Sequence, residues 1–130
     1  MSGWNGDELE RIGNAEELEL ASRRSDGTLR PYVTMWVVRA DDNLYVRSAY
    51  GADNPWYRRA KQSGTGRIRA AGVERDVTFA EADDTTNDEI DRAYHKKYDH
   101  YGPRIVGSVV GAAAHPLTIQ LQPQPDHTTR

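Results

Sequence analysis

The sequence has 130 residues, a net charge of −3 and no cysteine. Its length suits one domain with a single core, and the lack of cysteine excludes disulfides, thiolate metal sites and a cysteine nucleophile while fitting a reducing compartment. No apolar run approaches the roughly 20 residues that span a bilayer, and the residues after Met1 lack the regions of a signal peptide, so we expect a cytoplasmic protein with no membrane partner.

The first half of the chain alternates strand patterns with turn signals. A short helix with acidic residues in its first turn is predicted at residues 7–13. Asp26-Gly27 and Asp41-Asp42-Asn43 are turn signals. They separate three predicted strands, at residues 18–22, 32–38 and 44–48. The first two strands are therefore expected to form a hairpin.

The second half combines helix and strand patterns. Asn54 followed by Pro55 predicts an N-cap and a short helix to about residue 62. A hairpin that turns at Ala71-Gly72 comes next, and Thr86–Glu89 matches a capping box that opens a helix over 87–100. The strands predicted in this half lie at residues 67–70, 73–80 and 117–121.

Six short antiparallel strands with two or three helices predict an α+β, mainly β fold, in which a β-barrel carries peripheral helices. We expect one domain over residues 1–121. Residues 122–130 contain Pro and Gln with little to bury, so we predict a disordered tail there.

Basic side chains are concentrated in the middle of the chain. Residues 22–75 carry eleven Lys or Arg against five Asp or Glu, whereas the segments on either side are both acidic. A locally basic segment in an acidic protein favours a small anionic ligand over nucleic acid, which usually binds to basic domains. Nucleic acid is therefore not expected as a partner.

A candidate anion site lies in the turn after the first strand. A phosphate site needs backbone N–H groups from a tight turn together with Arg or Lys side chains, and this turn supplies candidates in Arg24, Ser25, Thr28 and Arg30. The same string is also what an ordinary hairpin turn looks like. Both interpretations remain open for the turn taken alone.

Aromatic residues could bind a planar ring. Trp36 lies in the second predicted strand, Trp56 lies in the helix after Asn54, and Arg47 and Ser48 end the third strand. Large aromatic residues are more often core or interface residues, and Arg47 either faces solvent or points at a ligand. Their convergence with the arginine-rich turn is what favours a binding site.

No catalytic or metal-binding side chain is predicted. His95 and Asp99 have the spacing that places two metal ligands on one helix face, but the sequence offers no third ligand. We interpret them as solvated helix residues. The sequence also lacks the Gly-x-Ser-x-Gly elbow of many serine hydrolases.

The order in which these motifs follow one another resembles that of the split β-barrel superfamily, whose members bind FMN or the deazaflavin coenzyme. The resemblance is greatest to the deazaflavin-dependent nitroreductases of that superfamily. Those proteins combine Arg-x-Ser-Gly-x-x-Arg with a strand that ends in Ser and a later Gly-x(n)-Pro-x-Trp-Tyr-x-Asn. The positions that match here are Arg24, Ser25, Gly27, Arg30, Ser48, Gly51, Pro55, Trp56 and Tyr57. Asp26 is inserted before Gly27, the spacing between Pro55 and Trp56 is shortened, and Arg59 stands where the pattern has Asn.

Over residues 7–121 the chain is also similar to an uncharacterised family of small bacterial proteins that is common in actinobacteria and grouped with that superfamily. The strings that carry this resemblance are Ser-Asp-Gly-Thr-Leu-Arg-Pro, Trp-Val-Val, Tyr-Val-Arg-Ser and Trp-Tyr-Arg.

The resemblance implies a split β-barrel that binds the deazaflavin coenzyme or FMN. The phosphate would contact Arg24, Ser25, Thr28 and Arg30, and the ring would lie near Trp36, Arg47, Ser48 and Trp56. It also implies a homodimer with the ligand near the interface. Hydride transfer would be the chemistry of the cofactor, which is consistent with the absence of a side-chain nucleophile.

Two functions follow from these observations. The first is a deazaflavin- or FMN-dependent oxidoreductase, nitroreductase-like, that acts on a small organic substrate. The second is a barrel without a coenzyme that binds or rearranges an anionic small molecule without redox chemistry, in which Asp26 and Arg59 close the old phosphate pocket.

Overall fold

The structure is a computed structural model that describes residues 3–49 and 51–124. These residues form four α-helices: α1 (Gly6–Asn14), α2 (Pro55–Ser63), α3 (Asn87–Tyr98) and α4 (Pro103–Val106). They also form seven β-strands: β1 (Leu18–Ser22), β2 (Val33–Met35), β3 (Val38–Ala40), β4 (Asn43–Arg47), β5 (Thr65–Ala70), β6 (Val73–Glu81) and β7 (Thr118–Pro123). None of the helices in the described ranges is both long and apolar enough to cross a bilayer.

All seven strands belong to one antiparallel sheet with the order β2-β1-β5-β6-β7-β4-β3. The two edge strands, β2 and β3, are almost consecutive in the chain, and only Trp36 and Val37 separate them. Three extended peptide units reach about 11 Å at most. The sheet must therefore curl until its two edges approach each other, and this produces the open antiparallel barrel that the sequence predicted.

The predicted strand count of six was wrong because residues 32–38 do not form one strand. The chain leaves the sheet at Val37, whose backbone bonds to side chains of α3 instead of to a neighbouring strand. Its N–H donates to the Tyr98 hydroxyl at 3.2 Å, and its carbonyl oxygen accepts a bond from Lys97 Nζ at 2.7 Å. These bonds end β2 and allow β3 to start at the opposite edge.

Two clusters of buried side chains form the core. The larger cluster fills the inside of the curled sheet and includes Leu20, Val46, Ile68 and Trp56. The smaller cluster lies where α3 packs on β3 and β4. The predicted apolar face of α3 is confirmed, because its three largest apolar side chains are fully buried: Ile90, Tyr94 and Tyr98.

The capping box predicted at Thr86–Glu89 is absent from α3. The Thr86 hydroxyl donates to the carbonyl oxygen of Asp83 at 2.7 Å instead of bonding to the helix N-terminus. A complete capping box is found on α1, where Asn5 and Glu8 each accept a hydrogen bond from the backbone N–H of the other. The reciprocal bonds satisfy two of the otherwise unpaired N–H groups there.

The predicted β5–β6 hairpin is confirmed. Ala71 and Gly72 both have positive φ angles, 50° and 82°, as a two-residue type I′ turn requires. The predicted end of the last strand was too early, because β7 runs to Pro123 and pairs Gln122 with Thr78 of β6. The first two residues of the expected disordered tail therefore belong to the sheet, and residues 125–130 lie outside the described residues.

Candidate functional site

Four arginine side chains surround one cavity of about 520 Å³ beside the turn after β1. We call this cavity the arginine pocket. One wall comes from the turn and another from the C-terminal half of α2. The lining residues are Arg23, Arg24, Ser25, Gly27, Arg30, Arg59, Gln62, Ser63 and Thr65. None of these residues carries a carboxylate, so the described lining is strongly positive.

Close packing against β5 positions the turn of the arginine pocket. The backbone N–H of Arg23 donates to the carbonyl oxygen of Thr65 at 3.1 Å. The next residue, Gly66, faces β1 so closely that an added Cβ would lie 2.1 Å from the carbonyl oxygen of Ala21. Only glycine permits this approach, which brings the turn and the end of α2 to the same cavity.

The four guanidinium groups differ in their partners. Arg23 forms an ion pair with Asp76 at 2.7 Å, so its charge is compensated. Arg24 donates to the Leu29 carbonyl oxygen at 3.0 Å and forms no ion pair with a described residue. The Nε atom of Arg30 is buried and has no hydrogen-bond partner in the described part of the chain. A buried donor without a partner is costly and calls for an explanation.

Asp26 does not line the arginine pocket. Its Oδ1 accepts hydrogen bonds from the hydroxyl of Thr28 at 2.7 Å and from the backbone N–H of Thr28 at 3.0 Å. These bonds hold the pKa of the Asp26 carboxyl below its usual value. Thr28, which the resemblance placed against a phosphate, is likewise not a lining residue, because its hydroxyl bonds to Asp26.

A second cavity, of about 300 Å³, contains three of the four side chains expected near a ring. We call it the ring pocket. Its lining is mostly apolar and comes from β2, the start of α2 and the region of α4. The lining residues are Val33, Thr34, Met35, Trp36, Arg47, Ala49, Asn54, Trp56, Ile105, Ser108 and Val109. Trp36, Arg47 and Trp56 therefore line one cavity, Ser48 does not, and the binding of a ring there stays a prediction.

The two tryptophans of the ring pocket are held by other aromatic rings. Trp36 stacks on Tyr98 with 4.0 Å between ring centroids and 5° between ring planes. Trp56 is buried and meets Tyr57 edge to face at 5.9 Å. Stacked and edge-to-face pairs are the favoured geometries of aromatic rings, so both side chains present fixed apolar surfaces to the pocket.

Arg47 lines the ring pocket but has no hydrogen-bond donor left for a ligand. Its side chain is buried, with Nε bonded to the Thr118 hydroxyl at 2.8 Å and Nη1 bonded to Asp91 and to the Val109 carbonyl oxygen. Nη2 contacts the carbonyl and side-chain oxygens of Asn87, both at 3.4 Å. All five N–H groups therefore form hydrogen bonds within the protein. Through these bonds Arg47 links β4 to α3.

Ser48 is also a structural residue. It is fully buried, and its hydroxyl donates to the carbonyl oxygen of Gly51 at 2.6 Å. Its backbone N–H donates to the Leu117 carbonyl oxygen at 3.2 Å. These bonds shape the loop between β4 and α2, so the expected ligand contact of Ser48 is replaced by a contact within the fold.

The sequence analysis missed two parts of the site. Arg59, Gln62 and Ser63 line the arginine pocket because residues three and four apart share one helix face. His115, for which no role was expected, contacts Asp91 with 3.0 Å between Nε2 and Oδ2. Burial tends to raise the pKa of the Asp91 carboxyl, but bonds from Arg47 and His115 outweigh it and hold that pKa below its usual value.

The helix α2 connects the two pockets. Asn54 and Trp56 at its start line the ring pocket, and Arg59 onward lines the arginine pocket. A helix of nine residues is about 13 Å long. The segment from Arg30 to Trp36 connects the same two pockets along the sheet edge. The structure therefore joins a positive cavity to an apolar, aromatic cavity.

A curled antiparallel sheet of this order, with helices around it, defines a split β-barrel protein. The chain belongs to a bacterial family described as "Uncharacterized protein conserved in bacteria (DUF2255)", whose profile matches residues 8–121. This match confirms the expected bacterial family over nearly the expected range, and the actinobacterial distribution stays a prediction. No curated protein matches the chain in sequence.

Solved structures share the fold at low sequence identity. An F420 reductase has a TM-score of 0.56 and 18% identity, with 90% of this chain and 93% of that one covered. A proposed pyridoxamine 5′-phosphate oxidase from Listeria innocua has a TM-score of 0.62 and 14% identity, with 90% of each chain covered. An FAD-binding protein from Mesorhizobium loti has a TM-score of 0.55 and 17% identity, with 94% of this chain and 91% of that one covered. Identities this low establish the fold and not the ligand.

Proposed function

We propose that this protein binds a flavin-type coenzyme, FMN or the deazaflavin coenzyme, and acts as a nitroreductase-like oxidoreductase on a small organic substrate in the cytoplasm. The coenzyme phosphate would bind in the arginine pocket and the planar ring in the ring pocket. The observation that carries the proposal is a pocket whose described lining holds four arginines and no carboxylate. A phosphate oxygen would accept charge-assisted hydrogen bonds from guanidinium groups of this lining.

The residues of the arginine pocket fit a phosphate in chemistry as well as in charge. Arg24 and Arg30 offer charge-assisted donors that no described acidic side chain occupies, and Ser25 adds a hydroxyl to the lining. Asp26, the feature that spoke against a phosphate, bonds to Thr28 and does not line the cavity. The turn is therefore compatible with an anion despite its own carboxylate.

The ring pocket would orient the coenzyme and keep water from it. Trp36 and Trp56 provide apolar faces, and the Asn54 side chain lines the cavity without capping α2. A side-chain amide that does not cap a helix can form hydrogen bonds with the polar edge of a heterocycle. The bound coenzyme would supply the hydride chemistry, while these side chains would supply position and a dry environment.

A second candidate is a barrel that binds a small anion and no planar coenzyme. The observation that favours it is the size of the ring pocket, because about 300 Å³ is the lower limit of typical ligand pockets. The full use of Arg47 by partners within the fold points the same way. In this case the arginine pocket would be the whole binding site.

Coenzyme titrations separate the two candidates. The purified protein is titrated with FMN and with the deazaflavin coenzyme, and binding is followed by visible absorption and coenzyme fluorescence. Arg30→Ala should weaken binding about 10- to 150-fold, the equivalent of about 1.5–3 kcal/mol for a charge-assisted hydrogen bond. Arg58→Ala is the matched control, since Arg58 lies on α2 outside both pockets. Absence of binding by either coenzyme would end the oxidoreductase proposal.

We also propose that the protein is a homodimer with the ring pocket near the interface. Two lining residues of that pocket, Val33 and Ile105, are apolar and exposed. Covering them with a second subunit would remove apolar surface from water. Light scattering coupled to gel filtration should give a dimer for the wild type and a monomer for Val33→Asp with Ile105→Asp.

A further inference from the structure

We infer that the arginine pocket binds two neighbouring anionic groups of one ligand, a phosphate and a second phosphate or carboxylate, and that Arg59 recognises the second group. The inference takes from the proposed function only that this pocket holds the ligand's anionic part. It assigns a specificity-determining role to a side chain for which the sequence pattern has Asn.

The first argument is the arrangement of the cations on two walls. Arg24 and Arg30 belong to the turn after β1, whereas Arg59 belongs to α2 and lines the same cavity from another element. A single phosphate can be bound by the two guanidinium groups of the turn together with the Ser25 hydroxyl. The cation on α2 is additional to that set.

The second argument is the balance of charge. Arg23 is compensated by its ion pair with Asp76. Arg24, Arg30 and Arg59 line the cavity and form no ion pair with any residue that the structure describes, although the charge of Asp26 attracts that of Arg24. A phosphate monoester brings about −1.5 to −2 at neutral pH. A ligand with a second anionic group matches three guanidinium groups more closely.

The third argument concerns the direction of α2. Gln62 and Ser63 line the pocket near the C-terminal end of this helix, where the helix dipole is negative and repels an anion. An anionic group beside that end needs a compensating cation. Arg59 lies one turn earlier, on the face that Gln62 and Ser63 share, and supplies it.

The cavity is large enough for this purpose. A volume of about 520 Å³ lies within the range of typical ligand pockets. A single tetrahedral phosphate is smaller than ligands that typically fill pockets of this volume. Two linked anionic groups would extend from the turn to the helix.

The experiment uses small anions without a ring, so its result does not depend on coenzyme binding. The full chain is titrated calorimetrically with inorganic phosphate, pyrophosphate and phosphonoacetate. Pyrophosphate is expected to bind at least 10-fold more tightly than phosphate. Phosphonoacetate, which has a carboxylate in place of the second phosphate, shows which second group is preferred. Tighter binding of either probe supports the inference, and equal or absent binding of all three overturns it.

Two variants test the role of Arg59. Arg59→Asn should weaken binding of the preferred two-anion probe at least 10-fold and change phosphate binding less than 3-fold. Arg58→Asn removes the same charge from the neighbouring position on α2, outside the pocket, and should change neither. An equal loss for phosphate and the two-anion probe in Arg59→Asn, or an equal effect of both variants, overturns the assignment.

The two proposals can fail separately. A preference for pyrophosphate or phosphonoacetate without coenzyme binding would remove the proposed oxidoreductase function and leave the two-anion pocket standing. Coenzyme binding without that preference would remove the two-anion pocket and leave the proposed oxidoreductase function standing. Circular dichroism of both variants checks that each is folded. We expect native spectra, because the side chain of Arg59 is exposed.

Discussion

Asp26 and Thr28 bind each other within the turn of the arginine pocket, where one carboxylate oxygen accepts both the hydroxyl and the backbone N–H of Thr28. Side chains of this type often bond to a backbone N–H two residues later and so stabilise a turn. The carboxylate is therefore directed into its own turn. Its negative charge is close to the pocket in sequence but is not part of the pocket's described lining.

The first prediction is that Asp26→Asn leaves coenzyme affinity unchanged or raises it by up to about 3-fold. The Asn oxygen can accept the same two bonds from Thr28, and removal of a nearby negative charge reduces repulsion of a phosphate. Asp26→Ala, which loses both bonds, should weaken binding because the turn loosens. Fluorescence titration of the three proteins measures the effect. Weaker binding by Asp26→Asn than by the wild type would disprove this account.

The second prediction concerns the ion pair between Arg47 and Asp91. Asp91→Ala should lower the free energy of unfolding by about 3–5 kcal/mol, because it leaves a buried guanidinium without its carboxylate. Urea denaturation measures the change. Arg11→Ala breaks the exposed pair between Arg11 and Asp7 and serves as the control, with an expected cost below about 1 kcal/mol.

The same pair gives a pH dependence with a defined sign. The pKa of Asp91 is lower in the folded protein than its usual value, so the stabilisation is complete above the unfolded pKa of about 3.9. It is lost as the pH falls through the folded pKa. The stability difference between wild type and Asp91→Asn should therefore shrink below about pH 4. A difference that does not change with pH would contradict the assignment.

Local patterns predicted much of the fold. The strand at 18–22 and the turn at Ala71-Gly72 lie where their residues indicated, because alternation and turn preferences act over a few neighbouring residues. The break at Val37 could not be found in this way. It depends on Tyr98 and Lys97, about 60 positions further along the chain, which replace the bonds of a neighbouring strand.

The candidate site shows the same limit. The resemblance placed Trp36 and Trp56 near one ring, and both residues line the same cavity. The sequence could not show that Arg47 would donate its hydrogen bonds to Asp91 and Thr118, which are 44 and 71 positions away. Arg59 was seen only as a departure from a pattern, since its place on the wall of the arginine pocket depends on how α2 packs.

The third prediction compares two helices. Ile90→Ala should cost about 2–4 kcal/mol, because Ile90 is fully buried between α3 and the sheet. Asn5→Ala should cost about 1 kcal/mol through loss of the capping box on α1. Glu89→Ala should cost no more than about 0.5 kcal/mol, since α3 has no capping box. Equal costs for Asn5→Ala and Glu89→Ala in urea denaturation would show that the cap assignment is wrong.

The fourth prediction concerns Lys97, whose ammonium group donates to the carbonyl oxygen of Val37 at 2.7 Å. Burial lowers the pKa of Lys97 to about 8, partly offset by the charge of Glu16. The unfolded chain has a lysine pKa of about 10.4. Between these values the unfolded state binds more protons than the folded state, so the free energy of unfolding should rise with pH from about 8 to about 10.4.

A variant isolates that contribution. Lys97→Met removes the buried charge, so its stability relative to the wild type should be highest below about pH 8 and should fall by about 1–2 kcal/mol as the pH approaches 10.4. The full pKa difference corresponds to more than this, but the side chain keeps contact with solvent, which screens the effect. Urea denaturation from pH 7 to 10.5 measures it, with Lys96→Met on the exposed side of α3 as the control. Parallel pH profiles for the wild type and Lys97→Met would mean that the charged amine is not disfavoured by its surroundings.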